Sequence, residues 1–143
     1  EALNKNCTLS EGDLVEKIIF DREVPLEEME ESVVRQLDFM EPFGAGNQEP
    51  IFAKRNLAVV SLSLCGKENQ IARVQLRDGM RLYRGVDFQC ELHLGEGIRS
   101  RYGDGAWEAL KNGQGRDYEI DILYQPEINQ MFGNVEFRII DCR

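Results

Sequence analysis

The chain has 143 residues, 42% of them hydrophobic, and a net charge of −9, enough to bury the core of one ordinary domain plus a short extra element without disulfides. No apolar run reaches membrane-spanning length and no signal-peptide pattern is present, so no membrane partner is expected and the chain reads as cytoplasmic. The cysteines Cys7, Cys65, Cys90 and Cys142 are scattered and the single histidine, His93, has no metal-ligand spacing around it, so reduced, packed thiols are expected and a zinc site is not. The first residue is Glu rather than Met, as in a piece of a longer protein.

The charge is unevenly placed. Residues 1–50 hold four basic and 13 acidic side chains, and residues 51–143 hold 13 of each. Ten of the latter 13 basic residues are arginine, which pairs bidentately with phosphate and stacks on bases. In chain order, "LVEKIIFDREV" (14–24) predicts a strand with an Ile-Ile-Phe centre. Pro25 suits the first turn of a helix. The apolar positions Leu26, Met29, Val33, Leu37 and Met40 then step by three or four, predicting one helix to Met40. Glu27, Glu28, Glu30 and Glu31 crowd its N-terminal end, where the macrodipole favours acids; the acidity is read as a solvated face, with a docking face for a basic partner as the alternative.

"EPFGAGNQEPIF" (41–52) ends that helix, because Pro42 disfavours helical geometry in the residue before it. Gly44 and Gly46 are expected to use backbone angles closed to other residues, and Pro50 launches an extended segment. The stretch reads as a defined corner, 41–50, between a helix and a new domain.

From residue 51 the pattern is mainly β. "IFAKRNLAVVSLSL" (51–64) and "QIARVQLR" (70–77) alternate around a Gly-Lys-Glu-Asn turn, with Val74 and Leu76 on one face and Arg73, Gln75 and Arg77 on the other. Asp78-Gly79 marks a hairpin. "MRLYRGVDFQCELHL" (80–94) predicts a third strand with Leu82, Val86, Phe88, Cys90 and Leu92 inward. "GAWEALKN" (105–112) predicts a short helix, and "DYEIDILYQ" (117–125) and "VEFRIIDC" (135–142) predict strands four and five, joined by 126–134. Five strands with a helix between the third and fourth is the order of an OB-fold barrel, and a five-stranded SH3-like barrel fits nearly as well.

The residues "LDFMEPFGAGNQEPIF" resemble the Leu-x-x-x-x-Pro-Phe-Gly-x-Gly-Asn-Pro-Glu-Pro-x-Phe signature of RecJ, the DHH-family exonuclease specific for single-stranded DNA. "FDREVPLEEM" and "PEINQMFGNVEFRIID" also resemble that family, and the likeness runs from about Leu14 to the C-terminus. It implies that 1–40 is the end of a DHH-associated domain plus an acidic linker helix. It further implies that Pro42, Phe43, Gly44, Gly46, Asn47 and Pro50 form a structural linker and that 51–143 is an OB-fold. Gln48 departs from the signature, where the family has proline. The family's metal-binding Asp and His motifs and its Gly-Gly-His motif are absent. No catalytic residue, metal site or cofactor is therefore assigned to this chain, and the resemblance implies divalent manganese or magnesium only for the parent enzyme.

OB-folds bind on strands two and three and on the loops between strands one and two and strands four and five. Here those carry Lys67, Arg73, Arg77, Arg81, Tyr83 and Arg84, then Asn129 and Phe132. The arginines suit phosphates, and Tyr83 and Phe132 suit base stacking. The expected partners are single-stranded DNA, the upstream catalytic domains of the same protein, and repair proteins. The alternative is an interaction or bracing domain with little direct DNA contact.

Overall fold

The computed structural model describes residues 20–114 and 117–143. Most of the strand expected over 14–24 lies outside them; its described part is β1, Arg22–Glu23, parallel to the start of β2, Phe52–Cys65, with Arg22 opposite Phe52.

The helix expected to run unbroken to Met40 is two pieces, a 3-10 turn at Leu26–Glu28 and α1, Glu31–Asp38. Glu30 between them is extended, at φ −72° and ψ 160°. An unbroken helix would stack Glu27 over Glu30 and Glu31, like-charge spacings that destabilise helices; the break gives the acids two N-terminal ends instead of one. It also rotates the apolar stripe. Leu26, Met29 and Val34 are buried, Val33 and Leu37 are half-buried, and Met40 is exposed.

Val24, Leu26 and Met29 join the core of the strands that follow. The Val24 N–H donates to the Ala53 carbonyl at 2.9 Å and the Tyr124 hydroxyl donates to the Val24 carbonyl at 2.9 Å. In the corner, Gly44 and Asn47 exchange backbone hydrogen bonds of 2.8 and 3.0 Å, and Asn47 Nδ2 donates to the Met40 and Pro42 carbonyls at 2.7 and 3.0 Å. Only one of the two glycines uses a conformation special to glycine. Gly46 has φ +86°, whereas Gly44 has no positive φ and open space where a Cβ would stand. Gly46→Val is therefore expected to cost about 1–2 kcal/mol of stability and Gly44→Val a few tenths. Paired denaturant melts check this, and equal losses would contradict it.

β3 is Ile71–Asp78, β4 Arg81–Asp87, β5 Tyr118–Ile128 and β6 Val135–Cys142. The order β2-β3-β4-β6-β5 closes through a β2–β5 pairing, with β4 and β6 parallel and the other barrel neighbours antiparallel. This is the five-stranded OB barrel. β2 closes it by pairing with β5 along its first half and with β3 along its second, its register shifting between Val59 and Ser61.

The third barrel strand differs from its expectation in length and in face. The two-residue turn Gly79-Met80, with Gly79 at φ +60°, sets Asp78 opposite Arg81. Antiparallel partners share a face, so Tyr83, Gly85 and Asp87 lie inside with Leu76, Val74 and Ala72, while Leu82 and Val86 lie outside with Arg77 and Arg73. The strand then stops at Asp87. This carboxylate, fully buried, accepts the Gln89 N–H on Oδ1 at 3.0 Å and the Leu94 N–H on Oδ2 at 3.2 Å, and its Oδ1 lies 2.8 Å from His93 Nδ1. It turns the chain into a π-helical turn, Glu91–Gly95, that continues into α2, Glu96–Tyr102. Phe88 and Leu92, expected inside, are exposed; Cys90 is buried.

After α2 comes α3, Asp104–Lys111, the helix expected over 105–112. α2 is not among the predicted elements, since the stretch broken by glycines such as Gly95 and Gly97 offers only one short helix, over 105–112, in the sequence. These two glycines are close-packing positions: a Cβ on Gly97 would stand 2.6 Å from the Cys142 carbonyl oxygen. Leu94, Ile98, Trp107 and Leu110 fill the same core as the inner strand residues. β5 continues through Pro126, beyond the 117–125 predicted for the fourth strand. Pro126 lies beyond the last β2 pair, Phe52 with Tyr124, where the strand has one neighbour only and a missing N–H is tolerated. Among the described residues, no helix is long and apolar enough to cross a membrane.

Candidate nucleic-acid interface

The outward residues of the β3–β4 hairpin form three cross-strand pairs: Arg73 with Val86, Gln75 with Arg84, and Arg77 with Leu82. The turn between β5 and β6, residues 129–134, overhangs this face. Asn129 shapes the turn, its Oδ1 accepting the Met131 and Phe132 N–H groups at 2.9 and 3.1 Å, while Gly133 at φ +70° donates to the Asn129 carbonyl at 2.7 Å. With their backbone N–H groups tied to Asn129, Met131 and Phe132 leave their side chains 83% and 69% exposed.

Between hairpin and turn runs an open groove of about 720 Å³, whose lining includes Arg73, Gln75, Arg84, Met131 and Phe132. A shallower hollow adjoins it, lined by Leu82, Tyr83, Arg84, Phe132, Asn134 and Val135. Arg84 and Phe132 border both. Among the described residues, Arg73 and Arg84 have no carboxylate within ion-pair distance. Two guanidinium groups without an ion-pair partner beside a projecting aromatic ring can hold a polyanion's backbone and stack a flat ring, although Glu127 and Glu136 in the same lining balance their charge.

The family model of the RecJ OB domain matches residues 20–141. This chain belongs to the RecJ OB domain family. No curated protein matches the sequence. Among solved structures, a chain assigned as an aspartyl-tRNA synthetase from Leishmania major Friedlin is similar at 14% identity and a TM-score of 0.40, over 91% of this chain and 21% of that one. The aspartyl-tRNA synthetase from Entamoeba histolytica is similar at 13% identity and a TM-score of 0.41, over 90% and 25%. This chain thus spans about a fifth to a quarter of those chains, and at these values the likeness carries no functional weight.

Of the eight residues read from the sequence as nucleic-acid-binding, this RecJ OB domain gathers four, Arg73, Arg84, Asn129 and Phe132, around the groove. Tyr83 is turned to the core side, half-buried, its ring edge-on to Phe137 at 5.8 Å; it reaches the surface in the adjoining hollow. Arg77 lies towards the far end of β3, ion-paired to Asp117 at 2.8 Å. Arg81, at the start of β4, and Lys67, in the β2–β3 turn, are exposed and do not line the groove.

The sequence reading missed Gln75, Met131, Glu127 and Glu136 in the lining. Glu127 and Glu136 are cross-strand partners. Burial holds the Glu127 carboxyl above the usual carboxylate range; Arg138 opposes that rise, and Glu49 and Glu136 add to it. Arg138 ties the corner to this edge of the barrel, pairing with Glu49 at 3.0 Å, with Glu127 at 3.1 Å and with the Gln125 side chain. Phe43 and Pro50 of the linker line a separate hollow beside Arg138, with Leu37 and Pro126. Among the described residues, no group of three or more His, Cys, Asp or Glu side chains is placed to hold a metal ion, and His93 is engaged by Asp87.

Proposed function

We propose that this RecJ OB domain is the single-stranded DNA-binding module of a RecJ-type 5′→3′ exonuclease, positioning the strand for a two-metal catalytic core upstream in the parent protein. The carrying observation is the groove, where Arg73 and Arg84, without a carboxylate partner among the described residues, stand beside the exposed ring of Phe132. Arg73 and Arg84 hold successive phosphates and Phe132 stacks a base. Manganese or magnesium is handled by the upstream core, and the enzyme works in the cytoplasm on strands presented by repair partners.

Fluorescence anisotropy of labelled single-stranded and duplex oligonucleotides across a salt series tests this. Phosphate contacts make log affinity fall linearly with log salt, by about 0.7 per contact on a single strand. The expected result is salt-dependent binding of the single strand and weaker binding of the duplex. No binding at low salt would refute the proposal. It would favour a protein-interaction domain, a reading supported by the exposed acidic face of the 3-10 turn and α1 and by Phe39, 87% exposed at the end of α1.

A further inference from the structure

The groove holds two groups that a phosphate backbone would avoid. Glu127 and Glu136 stand opposite each other on β5 and β6, and both line it. They are not equivalent. Glu127 is ion-paired to Arg138 at 3.1 Å, whereas Glu136, among the described residues, has neither an ion pair nor a side-chain hydrogen bond.

Arg84 stands beside Glu136. β4 and β6 run parallel with Gly85 opposite Phe137, both inside the barrel, so Arg84 and Glu136, one residue earlier on each strand, lie side by side on the outer face. They carry opposite charges yet form no ion pair with each other. A five-donor guanidinium and a two-oxygen carboxylate are thus both open to the groove.

Phosphate oxygens only accept, so a backbone satisfies Arg84 and leaves Glu136 repelled and unpaired. A nucleotide answers both, with an acceptor at its phosphate and donors on its base. The bases differ in what they offer a carboxylate. Cytosine and adenine present one amino group and thymine one ring N–H, while guanine presents a ring N–H and an amino group side by side on one edge, the only pair that fills both carboxylate oxygens. We propose that Glu136 reads guanine in the bound strand, accepting from its N1–H and its amino group while Arg84 holds a neighbouring phosphate.

This rests on the single-strand reading of the groove, and the test separates the two. Twelve-residue oligonucleotides of thymine alone, and of thymine alternating with guanine, adenine or cytosine, are titrated against the wild type and Glu136→Gln at low salt. The wild type is expected to prefer the guanine-containing strand by roughly tenfold, as a bidentate base contact allows. Glu136→Gln, with one acceptor and one donor, is expected to lose that preference while binding the all-thymine strand at least as tightly, because a negative charge has gone. Equal affinity of the wild type for all four strands would overturn the proposal while leaving the single-strand reading standing. So would a Glu136→Gln variant that tightens on all four by the same factor, since the carboxylate would then act only by repulsion. Failure of every strand to bind would refute the single-strand reading and the base preference with it.

Discussion

Replacing Trp107 with alanine will lower the stability of the fold by about 3–5 kcal/mol, the range for deleting a large buried aromatic. The indole is fully buried, and its Nε1 donates to Glu91 Oε1 at 3.0 Å. Arg99 and Lys111 lie over the ring at 5.9 and 5.7 Å and both also engage Glu91. Truncation opens a cavity among Leu94, Ile98 and Leu110 and removes a hydrogen bond from a carboxylate that Arg99 and Lys111 still hold. Glu91 itself is held below the usual carboxylate range by the Trp107 and Arg99 hydrogen bonds and the two cations, against the opposing effect of burial. Trp107→Phe keeps most of the ring volume and should lose less. Because Trp107 is the only tryptophan, urea unfolding is followed by far-ultraviolet circular dichroism. A loss under about 1 kcal/mol in the alanine variant would mean that the helices between β4 and β5 contribute little to the barrel core.

The largest functional effect is expected from Arg73→Glu combined with Arg84→Glu. Each arginine loses a charge-assisted contact of about 1.5–3 kcal/mol and becomes a repelling group, so single-strand affinity should fall by about a hundredfold or more. The slope of log affinity against log salt should flatten by about 1.4 for two lost phosphate contacts. Arg77→Glu is the informative control. Arg77 shares the outer face of β3 with Arg73 but is engaged by Asp117 away from the groove, so its reversal should change affinity by no more than a few-fold. An equal loss in the control would show that the strand follows the whole length of β3 rather than the groove.

How much of this was legible in the sequence depended on what kind of rule fixed each element. Alternation in "IARVQLR" gave the correct face of β3, because the strand is half-buried and its period of two is unambiguous. The same alternation misread β4. Leu82 and Val86 look like core residues, but the two-residue turn at Gly79-Met80 fixes parity by counting, and the inner face is filled by Tyr83, Gly85 and Asp87. Gly85 belongs there because a Cβ would come within 2.8 Å of Val74 Cγ2, a constraint set by a residue on another strand. Gly97 was opaque for the same reason, its neighbour being Cys142, 45 residues on. For the candidate site, arginine density and the OB-fold frame pointed to the outer face of β3 and β4, part of which lines the groove. They could not separate Arg73 from Arg77, since only the fold brings Asp117 to one of them. Glu136 was invisible because its meaning comes from lying beside Arg84 across a parallel pair, a neighbour relation the linear sequence does not encode.

The Pro/Gly corner, finally, has a mechanical meaning. It looks like a joint, but the segment before it is clamped to the barrel through Val24, Leu26 and Tyr124, and the corner itself is clamped to the same barrel through Glu49 and Arg138. A bend fixed at both places is a bracket rather than a hinge. These contacts fix the groove's orientation relative to β1.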